Sequence, residues 1–308
     1  MMIAAVEAGG TKFVLGLAQA DDDGDAPRLL YRESIPTAKP EETIGRAADL
    51  LKAAGARFGR PEALGIGCFG PVELREGHAA WGHVTSTPKP GWKGADVAGP
   101  LGAALSLRAA FDTDVNAAAA GEGRWGAGRG LSDFIYVTVG TGIGGGIVSG
   151  GRLVHGASHP ELGHFKPAKL ADDAYAGYCP YHGDCFEGLA SGPAIEARWG
   201  SRGEDLPDAH PAWEMEAAYL ARAFAAFACI LAPERIILGG GVGMKKGLAE
   251  RVSILVKEEL KAYLGWLDEA ASRRAFVVRP ALGSDAGLLG AAALAIGEGD
   301  PRPPGRQD

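Results

Sequence analysis

Short apolar runs separated by glycine give this chain its rhythm. Residues 2–6 are apolar and too few for a helix; the turn sequence Glu7-Ala8-Gly9-Gly10-Thr11-Lys12 follows, and residues 13–19 are mostly apolar again. Runs of this length between glycines read as buried strands, and two of them across a tight turn predict a hairpin. In residues 40–55 the period changes, and Ile44, Ala47, Leu50 and Leu51 recur at helical spacing to give one apolar face. Residues 63–69 return to a buried-strand pattern that stops at Gly70-Pro71. Residues 72–95 hold no period, carry Pro88 and Pro90 around Lys89 with Trp81 and Trp92 nearby, and predict a loop excursion over one lobe.

Residues 101–105 suit a helix, 108–112 a strand and 115–125 a helix of small residues. Residues 131–139, the glycine run 140–146 and residues 147–149 then repeat the opening order of strand, glycine turn, strand. Two such starts predict an α/β fold of two related lobes with a cleft between them, the boundary falling near residue 115. Residues 214–231 read as a buried helix, 235–238 as a strand ending in Gly239-Gly240-Gly241, 244–263 as a helix and 286–295 as a final small-residue helix. The expected organisation is a smaller lobe over 1–115, completed by a C-terminal helix over 286–297, and a larger lobe over 116–285. Residues 299–308, with three prolines and mixed charge, are expected to form a disordered tail.

Composition narrows the function classes. A formal charge of −7 over 308 residues and a pI near 5.6 provide no field to hold a nucleic-acid backbone. The start carries no basic segment ahead of a long apolar one, and the longest apolar stretch, about 217–231, contains Arg222 and is too short to span a bilayer. A cytoplasmic protein is expected, without nucleic-acid or membrane partners. Four cysteines are too few for a disulfide scaffold, and Cys179 and Cys185 lie close in sequence with His182 between them. Cys68 in a strand run and Cys229 in an apolar helix read as core residues, and Trp81, Trp92 and Trp199 as packing aromatics.

The 48 glycines gather at strand ends, where backbone N–H groups can converge on a phosphate without an intervening Cβ. No G-x-x-x-x-G-K-[ST] sequence occurs, which excludes a P-loop. Gly140 to Gly145 matches G-x-G-x-x-G, but a strand-like pattern follows where a dinucleotide site needs a helix. Taken singly, each glycine run fits a tight hairpin as well as a phosphate loop. His164, Cys179, His182 and Cys185 are four ligand types that suit a closed tetrahedral zinc site, structural because no coordination position is left open. Asp114 follows a predicted strand and opens a predicted helix, which suits a general base and equally suits a helix N-cap. Asp112 reads as structural.

Five motifs then occur in one order: Glu7-Ala8-Gly9-Gly10-Thr11-Lys12, Asp114-Val115-Asn116, the run Gly140-Thr141-Gly142-Ile143-Gly144-Gly145-Gly146, Glu161-Leu162-Gly163-His164, and Leu238-Gly239-Gly240-Gly241-Val242. In this the chain resembles the ROK sugar kinases over about residues 2–297, and Glu7-Ala8-Gly9-Gly10-Thr11-Lys12, Asp112-Thr113-Asp114-Val115-Asn116 and residues 179–191 resemble the bacterial fructokinase branch. The resemblance implies a two-lobe actin-like ATPase fold of the ribonuclease H-like type with a zinc loop over 164–185. It implies ATP-dependent phosphorylation of a hexose, fructose before others at position 6, with Asp114 as base. Phosphate and nucleotide would lie on Gly9, Gly10, Thr11, Lys12, Thr141, Gly142, Gly144, Pro193, Gly239, Gly240, Gly241, Val242 and Gly243.

The sugar would meet Gly70, Pro71, Thr113, Asp114, Glu161, His164 and Glu187. The family commonly carries a cysteine-rich zinc loop here, whereas two ligands in this chain are His. Mg2+ accompanies ATP, and Glu7, where the wider family has Asp, would reach it directly or through water. Thr113 stands where related glucose kinases have Asn, which fits fructose better than glucose. Kinases for glucose, mannose or an N-acetylhexosamine share the same phosphate motifs, and a sugar-sensing regulator or a sugar-binding protein without turnover are the non-enzyme readings. A strand beginning at Met2 is expected to leave no room for a helix-turn-helix, and a homodimer is the expected assembly.

Overall fold

In a computed structural model, described for residues 1–21, 24–267 and 275–297, the chain forms two compact units. The first comprises Met1–Gly130, Gly151–Pro160 and the chain from Ala281 on; the second comprises Leu131–Gly150 and Glu161–Pro280. The tail expected over 299–308 lies outside the described residues.

The first unit holds β1 (Met2–Ala8), β2 (Lys12–Gln19), β3 (Arg28–Pro36), α1 (Pro40–Phe58), β4 (Ala63–Cys68), α2 (Ala98–Leu105), β5 (Ala109–Thr113), α3 (Asp114–Trp125) and α9 (Ala286–Gly297). Its sheet runs β3-β2-β1-β4-β5, antiparallel across β1/β2 and β2/β3 and parallel across β1/β4 and β4/β5. Side chains alternate across a strand, so both faces of β1 can be followed by parity. Ala4, Val6 and Ala8 join Ile44, Ala47, Leu51 and Trp92 in one core, while Ile3 and Ala5 join Leu288, Ala291 and Ala292 of α9 in another. A strand covered on both faces has no polar side to show, which is why residues 2–6 read as an unbroken apolar run. Helix α1 starts as its sequence dictates, with Pro40 in the first turn and Glu41 and Glu42 near the positive end of the helix dipole.

The small residues of α3 and α9 have a packing purpose. A Cβ on Gly290 would run into the carbonyl of Ala117, and one on Gly121 would lie 2.9 Å from the Gly290 backbone. Glycine lets the two helix backbones touch, and α3 thereby belongs to the first unit, past the boundary expected near residue 115. Gly290→Ala is therefore expected to cost about 2–3 kcal/mol, typical of overpacking against a surface that cannot yield. A urea midpoint equal to that of the unsubstituted protein would show the crossing is looser than this.

The second unit holds β6 (Phe134–Val139), β7 (Ile143–Ser149), α4 (Phe186–Ala190), α5 (Gly192–Trp199), α6 (Ala212–Leu231), β9 (Arg235–Gly239), α7 (Gly240–Gly243), α8 (Leu248–Leu260) and β10 (Val277–Val278); β8 (Arg152–Leu153) lies in the segment returned to the first unit. Its strands run in the order β10-β9-β6-β7. Each unit thus opens on an antiparallel hairpin whose first strand pairs in parallel with a later one, β1 with β4 and β6 with β9.

Two expectations need correction. The helix expected over 244–263 begins only at Leu248, because Gly247 takes the left-handed conformation (φ 81°) and ends the preceding turn. Cys229, read as core, is exposed together with Ile230. Both fall in the last turn of α6, and an apolar composition does not tell which end of a helix emerges. Trp92, in contrast, is fully buried between Phe13 and Phe69, and its indole N–H donates to Ala38 O at 2.9 Å.

Candidate active site

In the first unit the chain turns from β5 into α3 at Thr113. The Thr113 hydroxyl accepts a hydrogen bond from Asn116 N at 3.0 Å and caps the helix, so the capping position belongs to Thr113 and not to Asp114. Asp114 is the first helical residue, and its Oδ1 accepts from Val115 N at 2.9 Å. Burial pushes its carboxyl up to about 6 despite the stabilising backbone N–H groups. Asp112 braces the turn: its Oδ1 accepts from Thr113 N at 2.7 Å and from Asn116 Nδ2 at 2.8 Å, and its Oδ2 lies 2.8 Å from His155 Nε2.

Glu7, on β1, is the electrostatic neighbour of Asp114. Burial first and the Asp114 charge second raise its carboxyl to about 7. Two carboxyls that each resist ionisation form a donor pair a divalent cation would stabilise. Beyond Glu7 the hairpin closes tightly, with Gly9 N donating to Lys12 O at 3.0 Å and the Thr37 hydroxyl to Gly9 O at 2.7 Å. Gly10, Thr11 and Lys12 are left exposed at its tip. Gly70 and Pro71 end β4's extension, where Pro71 O accepts from both Thr85 N and the Thr85 hydroxyl at 2.8 and 3.1 Å.

In the second unit the turn between β6 and β7 is gripped from two sides. Gly140 O accepts from Gly192 N at 2.7 Å, next to Pro193 in the first turn of α5, and Glu187 Oε2 accepts from Ile143 N at 3.0 Å. Thr141 is exposed at the tip, with Gly142 and Gly144 beside it. Where β9 passes into α7, Gly240 has φ 82° and abuts Val139, so neither the conformation nor the space admits a side chain. Gly239, Gly241, Val242 and Gly243 flank that turn, and a Cβ on Gly241 would meet nothing within 4 Å.

His164, Cys179, His182 and Cys185 converge, all four ligand atoms lying within 4.8 Å of one another. Cys179 Sγ is 3.8 Å from His164 Nδ1 and 3.7 Å from His182 Nδ1, and Cys185 Sγ is 3.7 Å from His164 Nδ1. Tetrahedral zinc with ordinary bond lengths separates sulfur from nitrogen by about 3.6 Å, so the donor set fits. His164 turns Nδ1 towards the thiols, which leaves Nε2 for a different contact. Glu161 is exposed immediately before the turn Leu162–His164, and Glu187 follows Cys185 by two residues. The cluster thus ties two carboxylate-bearing segments together within the second unit.

His155 and His159 carry no motif in the sequence. The one visible signal was their spacing of four in a loop, which specifies nothing until the loop's course is known.

A family model described as the ROK family matches residues 3–298. The chain belongs to the ROK family. Among relatives of this ROK protein, the fructokinase of Zymomonas mobilis is 41% identical over 94% of this chain and 95% of that one. The fructokinase of Pediococcus pentosaceus is 37% identical, with 96% and 98% covered. The crystal structure of the ROK hexokinase from Thermus thermophilus matches with a TM-score of 0.74 at 30% identity, over 97% of this chain and 99% of that one. The fold of this ROK protein is accordingly the actin-like ATPase fold, with its two α/β sheets. Among the described residues, no helix is long and apolar enough to cross a membrane.

Proposed function

We propose that this ROK protein is an ATP-dependent fructokinase that transfers the γ-phosphoryl group of ATP to the 6-hydroxyl of D-fructose with Asp114 as general base. One observation carries the reading: the ROK chain aligns over nearly its whole length with fructokinases 41 and 37% identical to it, and the buried Asp114 carboxyl that opens α3 suits the base. The Asp114 carboxylate takes the hydroxyl proton, the sugar oxygen bonds to the γ-phosphorus, and the bond from that phosphorus to the β,γ-bridging oxygen breaks to leave ADP. Glu7 would hold Mg2+, directly or through water, and the ion would neutralise the phosphate charge.

Gly9, Gly10, Thr11, Lys12, Thr141, Gly142, Gly144 and Pro193 serve the phosphates, and Gly239, Gly240, Gly241, Val242 and Gly243 the adenosine. Gly70, Pro71, Thr113, Glu161, His164 and Glu187 serve the sugar. His164, Cys179, His182 and Cys185 hold a structural zinc ion. The fructokinase relatives and Thr113, where glucose kinases carry Asn, support fructose over glucose. The protein acts in the cytoplasm as a homodimer, with Ile230 on α6 and Ile254 on α8, both exposed, as candidate interface residues.

ADP release with Mg-ATP across fructose, glucose, mannose, N-acetylglucosamine and N-acetylmannosamine, with a no-sugar control, tests the reading. Turnover at least about tenfold higher in kcat/KM with fructose is expected, a discrimination of about 1.4 kcal/mol. Turnover only with another hexose overturns the substrate and keeps the kinase, while none with any sugar favours a sensing role.

A further inference from the structure

After Gly150 the chain leaves the second unit for ten residues, Gly151–Pro160, which belong to the first, and then returns. Two histidines four positions apart lie in this excursion. Each reaches one of the two turns assigned above to the sugar, on which assignment the inference rests.

His155 Nε2 meets Asp112 Oδ2 at 2.8 Å, and the other oxygen of that carboxylate holds Thr113 N and Asn116 Nδ2. The imidazole therefore acts at one remove on the turn that presents Thr113 and Asp114. His159 is buried, and its Nε2 accepts from Val72 N at 3.0 Å, fixing the residue that follows Gly70 and Pro71. The two rings need opposite protonation behaviour. The Asp112 hydrogen bond pushes His155 up and favours a donor, whereas burial pushes His159 down and keeps the Nε2 lone pair that Val72 needs.

We propose that Gly151–Pro160 is a histidine clamp in which His155 and His159 are positioning residues that set the acceptor geometry, acting through Asp112 and Val72 and not on the reacting atoms. The excursion makes these two turns one rigid surface, because a single short segment grips both. Phosphoryl transfer depends on in-line placement, and a displacement of about 1 Å can cost on the order of a hundredfold in rate.

The test compares Gln with Asn at each position. Both are polar amides, but Gln carries its terminal atoms about as far from the backbone as His Nε2, whereas Asn falls short by one methylene. In the full-length protein, His155→Asn and His159→Asn are expected to lower kcat/KM for the hexose by about 10- to 100-fold. KM for ATP and the ADP dissociation constant should stay within about twofold, and His155→Gln and His159→Gln should recover most of the loss.

A merely structural role would instead lower the melting temperature and weaken sugar and nucleotide parameters together. Asn and Gln variants alike within about twofold of the unsubstituted protein overturn the clamp alone. An Asn variant that fails to fold leaves the matching Gln variant to decide, since loss of hexose kcat/KM there also overturns it. No turnover with any hexose by the unsubstituted protein overturns the kinase reading, and the clamp with it.

Discussion

Asp114→Asn should lower fructose-dependent turnover by about a thousandfold, within the usual 10²–10⁴ range for a general base, while sugar binding persists because the amide keeps the shape and one acceptor oxygen. The pH dependence gives an independent check. The base works ionised, and its carboxyl is raised to about 6, so kcat/KM should be level above that pH and fall towards acid through about 6. Stability runs the other way. Ionising Asp114 is harder in the folded than in the unfolded state, so the folded state loses stability as pH rises from the ordinary carboxylate range through about 6, and the loss is complete above it. Asp114→Asn should therefore raise the melting temperature at pH 7 while turnover falls by about a thousandfold, a combination typical of a residue retained for function at the expense of stability. Retained turnover would reject Asp114 as the base.

Metal removal should have the second-largest effect. Purified protein is expected to hold one zinc per chain, and stripping it should lower the melting temperature by roughly 10 °C, corresponding to a loss of several kcal/mol at about 2–4 °C per kcal/mol. The cause is local. The ligands come from the turn Leu162–His164 and from the 179–185 loop, whose backbone is tied across by the Cys179–Gly183 pair. Without the ion, two thiols and two imidazoles face one another with little to hold them. KM for fructose should rise in the stripped protein, because Glu161 and Glu187 lie three and two residues from ligands. Elemental analysis of a folded, stable, metal-free preparation would refute the assignment.

Much of the fold was legible because so many strands are covered on both faces. Residues 2–6 and 63–69 announce themselves as apolar runs, and glycine marks where they stop. Strand β3 gave no such signal, since Ile35 is its one buried residue and an edge strand needs little apolar patterning. Helices α4 and α5 are short and owe their starts to side-chain caps, the Cys185 thiol accepting from Gly188 N and the Ser191 hydroxyl from Ala194 N. Neither cap stands out beside a metal-ligand motif that uses the same cysteine. The metal cluster was readable from spacing because its ligand types admit few other roles. The brace around Asp112 was not, because it joins β5 to residues about forty positions on through a path that only the folded chain reveals.

The first sheet has one face covered by α1 and α2, and the other by α9, whose residues are nearly the last described. During synthesis β1 and β2 emerge well before α9, so Ile3, Ala5 and Val14 lack their cover until Ala286–Gly297 has been made. A growing chain in that condition exposes a flat apolar surface for many seconds and is open to chaperones and to misassociation. Truncation ahead of Ala286 leaves that surface permanently bare, so a chain lacking α9 should aggregate.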